Sequence, residues 1–472
     1  MAELQSEQTA RQDGRWQEMG LVNANDMLRK KNIAIVGSDQ LAVTIATAAV
    51  ALGVGGVEII DNKKITDTLK NGFFYLDAYL GENRTESLEK TLKKLHPTIK
   101  DGIFGLHIDF RCAGSERLLN RPNVIIDATN DPASKKKCLT YAKEKRIPFI
   151  SASSSQTEST ALIYPFSQGT LEEKLLLQYY EGQDQGDVTS GFAAGFVVEE
   201  LRKIILPLPK EKDIVKNSRI DGLHYNLKSS KRFRTEIDRN YSAIGDCGDK
   251  RVLIVGAGAL GTWACTWLAT MGVGEIHIVD DDFVERTNLN RQVLYYDSIS
   301  KDKVNELCKQ IKKINKYVKT TAYFQKINRE FDINRVNPHL ILGCVDNPAA
   351  RKIINYFFLK YKIPVIDGGT SCTSGQIYTC IPDSTPCLEC QIGELKEETA
   401  RASCIANTHD NSVVMSNLIT ASLMAGEAQF ILGKHAQPLA GRIKFDTYSP
   451  DRMSLDINNS MCTRDCKKEY GI

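Results

Sequence analysis

Residues 251–292, RVLIVGAGALGTWACTWLATMGVGEIHIVDDDFVERTNLNRQ, constrain the fold more than any other stretch of the chain. The apolar run Arg251 to Val255 ends in Gly256-Ala-Gly258-Ala-Leu-Gly261; a helical pattern follows, and a second apolar run, Ile276 to Val279, ends at Asp280. Strand, glycine turn, helix and strand in that order predict the start of a nucleotide-binding α/β domain. A turn without Cβ atoms lets backbone N–H groups and the positive end of a helix face phosphate oxygens. Asp280 lies about 20 residues beyond the turn, where a carboxylate can accept from ribose hydroxyls.

Alone, this pattern suits NAD or FAD. The continuation Asp281-Asp282-Phe283-Val284-Glu285-Arg286-Thr287-Asn288-Leu289-Asn290-Arg291-Gln292, followed by Lys303 on a Lys/Glu-bearing helix, does not. Two phosphates need little cationic help, whereas Arg291 and Lys303 added to the turn suit a triphosphate. Here the chain resembles the adenylation domain of the ubiquitin-activating (E1) enzymes and their sulfur-carrier relatives, the ThiF/MoeB/E1 superfamily, with its D-x-D…N-L-N-R-Q signature and a lysine shortly after. The Arg291 to Lys303 spacing is a residue shorter than the family's usual one, and we assign Lys303 rather than Lys301. The resemblance extends through Gly343-Cys-Val-Asp346-Asn347-Pro-Ala-Ala-Arg351, where the family places its magnesium-binding aspartate.

The template occurs twice. Gly37 and Asp61 precede Gly256 and Asp280 by the same 219 residues, and the stretch from Val124 to Pro132 precedes that from Leu340 to Pro348 by 216. The chain therefore reads as an internal duplication of one domain, an α/β pair of tandem Rossmann-like ThiF/E1 adenylation domains forming a pseudo-dimer. The halves differ in chemistry. In the first, the turn has become Gly37-Ser38-Asp39-Gln40-Leu41-Ala42, which adds a carboxylate where phosphate would sit; the Asn-Arg-Gln stretch is absent and Asn130 stands at the magnesium position. Residues 1–232 are expected to be a silent half and residues 233–472 the active one, with the polar segment from Lys210 to Arg239 as connection. The resemblance implies an arginine sent across from the silent partner, Arg15 by spacing or Arg11 by local sequence.

Adenylation of a carboxylate needs an electrophilic α-phosphate and a neutralised pyrophosphate. On the resemblance, Asp346 holds Mg²⁺, Arg291 and Lys303 meet the phosphates of ATP, and Asn288 and Gln292 orient them. Cys387 and Cys390, with Cys462 and Cys466, supply four thiolates that suit a closed structural Zn²⁺ site in the second domain; a redox pair or unpaired thiols are the alternatives. Cys404, after a polar stretch and before a helical pattern from Ser412, matches the thioester-forming cysteine of compact E1s. The stretch from Gly368 to Gln376 lies where the family threads its substrate's tail.

The chain has thirteen cysteines, and Cys112, Cys138, Cys265, Cys308 and Cys344, isolated from the clusters, read as buried thiols. A net charge of +3 gives no argument for nucleic acid or a membrane surface, so the lysine runs 135–137 and 309–316 read as solvated helix faces. With no long apolar run and a polar start, the default location is cytoplasmic. The resemblance implies an E1-like enzyme that adenylates the C-terminal Gly-Gly tail of a ubiquitin-like protein, forms a thioester on Cys404 and passes it to an E2-like partner. The fused pair is either self-sufficient or a homodimer. The rival is a sulfur-carrier adenylyltransferase of the molybdopterin or thiamine type without E2 transfer; a non-catalytic scaffold stands behind both.

Overall fold

The computed structural model describes residues 16–17, 20–66, 74–75, 78–164, 180, 183–207, 223–229, 232–233, 247–393, 395, 413–433, 438–449, 452–457, 461–462 and 465–472. These fall into two compact units, one of residues 1–236 with 285–297 and one of residues 237–284 with 298–472.

The first unit is built on a seven-stranded sheet ordered β3-β2-β1-β4-β5-β6-β7, with β1 Asn32–Val36, β2 Gly56–Asp61, β3 Ile103–His107, β4 Val124–Asp127, β5 Phe149–Ser154, β6 Glu158–Tyr164 and β7 Leu223–Asn226. The first five strands in that order run parallel and the last two pair antiparallel. Strands β1 and β4 are apolar almost throughout because a parallel sheet covered by helices has no solvated face. The helix Gln40–Leu52 packs against Asp187–Ile205.

The second unit repeats the five parallel strands of this order as β10-β9-β8-β11-β12 and continues with three antiparallel strands, β13-β14-β15, where the first has two. Its strands are β8 Arg251–Val255, β9 Glu275–Asp280, β10 Lys319–Phe324, β11 Leu340–Gly343, β12 Val365–Thr370, β13 Ser374–Cys380, β14 Gly441–Asp446 and β15 Met453–Ile457. The helix Ala259–Thr270 packs on Val414–Gly433, with Trp263 and Trp267 stacked at 5.8 Å between ring centroids. The repeat is held to the residue: the helices Pro132–Lys145 and Pro348–Tyr361 start and stop 216 residues apart, and each ends on a left-handed residue, Arg146 at φ 55° and Lys362 at φ 56°. Among the described residues no helix is long and apolar enough to cross a membrane.

Three local expectations fail. Lys135 is on no solvated face: its side chain is fully buried, its ammonium donating to Asp127 Oδ1 and the Ala152 carbonyl, each at 2.8 Å. Pairing with a carboxylate on the adjacent strand makes that burial tolerable. Cys112 is exposed, although Cys138, Cys265, Cys308 and Cys344 are buried as expected. Part of the polar segment 210–239 is not connection, since Leu223–Asn226 forms the edge strand β7.

Candidate functional site

In the second unit the strand order reverses at β8, which pairs with β9 on one side and β11 on the other. In a sheet of this kind ligands bind beyond the carboxyl ends of the strands at that reversal. The turn after β8 and the turn after β11 both open there, and they touch: a Cβ on Gly256 would lie 2.5 Å from the Cys344 carbonyl oxygen.

The three glycines of the turn do different work. Gly256 adopts φ +102°, closed to most L side chains, and has the Cys344 carbonyl against it. A Cβ on Gly261 would sit 2.0 Å from the Gly256 carbonyl oxygen, so this glycine lets the helix approach the strand. Gly258 caps the helix Ala259–Thr270 at φ −74°, ψ −157°, and nothing lies within 4 Å of where its Cβ would be. Of the three, Gly258 is the one with open space beside it for a ligand.

Asp280, expected at the ribose, is already engaged: Oδ2 accepts from the Ala257 N–H at 2.6 Å and Oδ1 from the Asp282 N–H at 2.8 Å. It ties the glycine turn to β9, and burial raises its pKa while Lys303 opposes the rise. Lys303 is the first residue of the helix Lys303–Ile314 and is buried; its ammonium donates to the exposed carboxylate of Asp282 at 2.8 Å. Asp346 follows β11, exposed, and its carboxylate makes no hydrogen bond or ion pair among the described residues. Gly256, Gly258, Gly261, Asp280, Asp282, Lys303 and Asp346 therefore all lie in the second unit, on the glycine turn or on the elements that flank it.

Asn288, Arg291 and Gln292 belong to the segment 285–297 of the first unit. Val293–Tyr295 packs against the helix Gln40–Leu52, and the Tyr296 ring lies 6.4 Å from that of Phe74. Asn288 closes a reciprocal cap with Glu285: its backbone N–H donates to the Glu285 carboxylate, and its Oδ1 accepts from the Glu285 N–H at 3.0 Å. Arg291 is buried, donating to the Thr287 carbonyl and Asn290 Oδ1, each at 3.0 Å. Arg11, Arg15 and Cys404 lie outside the described residues.

The four cluster cysteines do converge: the Sγ atoms of Cys387, Cys390, Cys462 and Cys466 lie within 4.8 Å of one another. Cys466 Sγ stands 3.3 Å from Cys390 Sγ and 3.6 Å from Cys387 Sγ, near the separation of sulfurs about 2.3 Å from a shared zinc ion. The donor set fits Zn²⁺. Burial pushes the Cys387 thiol up to about 12, and that of Cys466 up as well. Tyr470, donating to Glu389 Oε2 at 2.7 Å, ties down the same C-terminal helix, Cys466–Glu469.

Sequence reasoning assigned no role to Arg351 and Asp367. Arg351 Nε donates to Asp367 Oδ2 at 2.9 Å and Nη2 to the Gly368 carbonyl at 3.2 Å, fixing the end of β12 where the Gly368–Gln376 stretch begins. Burial raises the Asp367 pKa to about 6 against the pull of Arg351. The one signal for this pair was the position of Arg351 a turn beyond Asp346.

A family model, described as the ThiF family, matches residues 10–242 and again residues 244–466. The chain belongs to the ThiF family. Three relatives of this ThiF chain carry informative names. It is 34% identical over 146 residues to "Adenylyltransferase and sulfurtransferase UBA4" of Yarrowia lipolytica, covering 31% of the chain and 37% of that protein. It is 35% identical over 165 residues to "Sulfur carrier protein ThiS adenylyltransferase" of Bacillus subtilis, covering 33% and 49%. It is 32% identical over 200 residues to "Molybdopterin-synthase adenylyltransferase" of Salmonella typhimurium, covering 41% and 78%. The match thus spans less than half the length of the first two.

Proposed function

We propose that the chain is an ATP-dependent adenylyltransferase acting on the C-terminal carboxylate of a small ubiquitin-like protein of the sulfur-carrier kind. The observation that carries this is the open side of Gly258 on the turn after β8, with Asp282, which holds the Lys303 ammonium, following the neighbouring strand β9 and the uncommitted carboxylate of Asp346 following the other neighbour, β11. The names of the relatives supply the reaction class.

In that reaction a carboxylate oxygen of the carrier attacks the α-phosphorus of ATP, the bond to the β-phosphate bridging oxygen breaks, and pyrophosphate leaves. Glycine-turn N–H groups at the start of the helix Ala259–Thr270 would hold phosphate oxygens, and Lys303, aimed by Asp282, would meet the charge that develops. Asp346 would hold Mg²⁺, which would neutralise the leaving pyrophosphate. The Cys387, Cys390, Cys462 and Cys466 cluster would hold Zn²⁺ and pin the C-terminal helix, with no part in the transfer. Roles for Asn288, Arg291, Gln292 and Arg15 on the phosphates rest on the family resemblance alone; the division into a silent and an active half rests on that resemblance together with the differences at Asp39 and Asn130.

Thioester formation on Cys404 and delivery to an E2 is the finer reading. The relatives' names favour a reaction that ends at the acyl-adenylate or passes it to sulfur. ATP–pyrophosphate exchange, measured with sulfur-carrier and ubiquitin-like proteins ending in Gly-Gly, separates the two. Adenylyl transfer predicts exchange that Asp346→Ala lowers by about 10²-fold or more and Cys404→Ala leaves intact, with no thiol-sensitive conjugate on non-reducing gels. A conjugate lost in Cys404→Ala would establish the E1 reading, and no exchange with any carrier would refute both.

A further inference from the structure

The first unit keeps the frame of the phosphate turn but not its emptiness. At the constant 219-residue offset Asp39 stands where Gly258 stands, and Arg84 where Lys303 stands. The structure respects both matches. Asp39 caps its helix at φ −80°, ψ −180°, close to the angles of Gly258, and Arg84 opens the helix Arg84–Leu95 as Lys303 opens its own. A side chain added at the Gly258 position would grow into open space; at Asp39 that side chain exists, and it ends in a carboxylate.

That carboxylate is fully engaged. Asp39 Oδ1 accepts from Arg84 Nη1 at 2.5 Å, and Oδ2 accepts from the Lys63 ammonium. The Arg84 side chain is only 10% exposed. Burial pushes the Asp39 pKa up, but Lys63 and Arg84 together outweigh it and hold the group below the usual carboxylate range. It is therefore an anion at neutral pH, set against two cations.

Other groups around this turn are engaged within the unit as well. The Leu41 N–H, at the start of the helix Gln40–Leu52, donates to Gln185 Oε1 at 2.8 Å, and Gln185 is held in turn by its Nε2 donating to the Ala128 carbonyl at 3.0 Å. Asn130, at the position of Asp346, uses its amide to donate to the Ser154 and Gln183 carbonyls at 2.8 and 3.1 Å. Tyr75 donates to the Ser38 carbonyl at 2.6 Å, closing the turn from another side.

We propose that the first unit contains a phosphate site filled by the chain's own carboxylate: Asp39 occupies the place of a phosphoryl group, and removing it exposes a site for inorganic phosphate or pyrophosphate made by Arg84, Lys63 and the start of the helix Gln40–Leu52. The silent half is plugged rather than eroded. The plug neutralises two cations that would otherwise be left facing each other, and it keeps this unit from holding a competing nucleotide. Of the two cations, Arg84 stands where Lys303 stands and Lys63 stands where Asp282 stands; a carboxylate and a phosphate oxygen make the same charge-assisted hydrogen bonds to both.

The test is a gain of binding in the full chain, in a Lys303→Ala, Asp346→Ala background, so that its outcome is independent of whether the second unit adenylates anything. Binding of labelled pyrophosphate is measured by equilibrium dialysis. The background protein is expected to show no saturable site. Asp39→Gly, which restores the residue found at 258, is expected to add one saturable site per chain, roughly tenfold or more above non-specific binding. Inorganic phosphate should compete for it, and Arg84→Gln should abolish it. A folded Asp39→Gly protein without a saturable site, or with one that survives Arg84→Gln, overturns the proposal. Should Asp39→Gly not fold in anion-free buffer, folding is expected to return on adding phosphate and on adding Arg84→Gln; failure of both also overturns it.

Discussion

Substituting alanine at Gly258 and at Gly261 should separate the chemistry of the glycine turn from its architecture. At Gly258 the added methyl meets nothing within 4 Å, and φ −74° is open to any L residue. Loss of backbone freedom in the unfolded chain favours alanine by about 0.4–1 kcal/mol, while alanine is a poorer N-cap than glycine by about 0.5–1 kcal/mol. The two effects offset, and stability should hold. At Gly261 the methyl carbon falls 2.0 Å from the Gly256 carbonyl oxygen. The helix must retreat by about 1 Å, and overpacking of that kind costs about 1–3 kcal/mol. Activity should sort differently. A methyl on the open side of Gly258 displaces a phosphate from the turn by a similar distance, and a 1 Å misplacement costs about 10²-fold in rate.

Urea unfolding and ATP–pyrophosphate exchange read the two quantities separately. The expected result is a Gly258→Ala protein with the stability of the parent and about a hundredth of its exchange, and a Gly261→Ala protein with a lower urea midpoint. If folded Gly258→Ala exchanges within about twofold of the parent, the phosphates lie elsewhere and the reading of the open glycine fails. If Gly258→Ala is destabilised as much as Gly261→Ala, the steric argument is wrong.

The zinc proposed for the four-cysteine cluster should leave with a chelator and its loss lower the melting temperature, and rebinding should release protons, because thiols that burial keeps protonated, Cys387 and Cys466 among them, must become thiolates; unchanged melting with no metal released would dismiss the zinc site. His96 is buried and its pKa is lowered to about 4, chiefly by burial and then by Arg29. Its folded pKa is below the unfolded one, so the stability tied to its neutral form is present above about pH 6.5 and is lost as pH falls toward 4, a step that His96→Gln should flatten in urea titrations across pH. Asp127→Gly leaves the buried Lys135 ammonium without its carboxylate and should cost about 3–5 kcal/mol. Adding Ser151→Asp and Lys135→Arg copies the second unit's Gly343, Asp367 and Arg351 and should recover most of that loss, whereas additive losses would show that the two pairs are unrelated.

The duplicated α/β plan was legible because buried parallel strands are written as unbroken apolar runs closed by glycine or aspartate, and two copies at a fixed offset check each other. The second unit's turn was legible for the same reason. What stayed hidden depended on partners distant in sequence. Lys135 looked solvated beside Lys136 and Lys137 because nothing local announces Asp127 on the neighbouring strand. Leu223–Asn226 is too short and too polar to stand out, yet as an edge strand it has only one side to pair. Asp280 suggested a ribose ligand, and its two backbone hydrogen bonds cannot be read from spacing.

The duplication shows where such a fold can change. Backbone register is the same in both units: Asp127 pairs with Ser151 as Gly343 pairs with Asp367. Between the copies the carboxylate has crossed from one strand to its neighbour, with Lys135 and Arg351 following from one helix position. At the turn, a carboxylate stands on Asp39 and is missing at Gly258; at the end of the fourth strand, one stands on Asp346 and is an amide at Asn130. A one-residue slip in a strand would turn every side chain to the wrong face, so topology is costly to alter. Moving a charge between adjacent positions costs little as long as each buried cation keeps a partner. Divergence between the units has therefore run through the placement of carboxylates, and the same few substitutions decide which turn is open and which is filled.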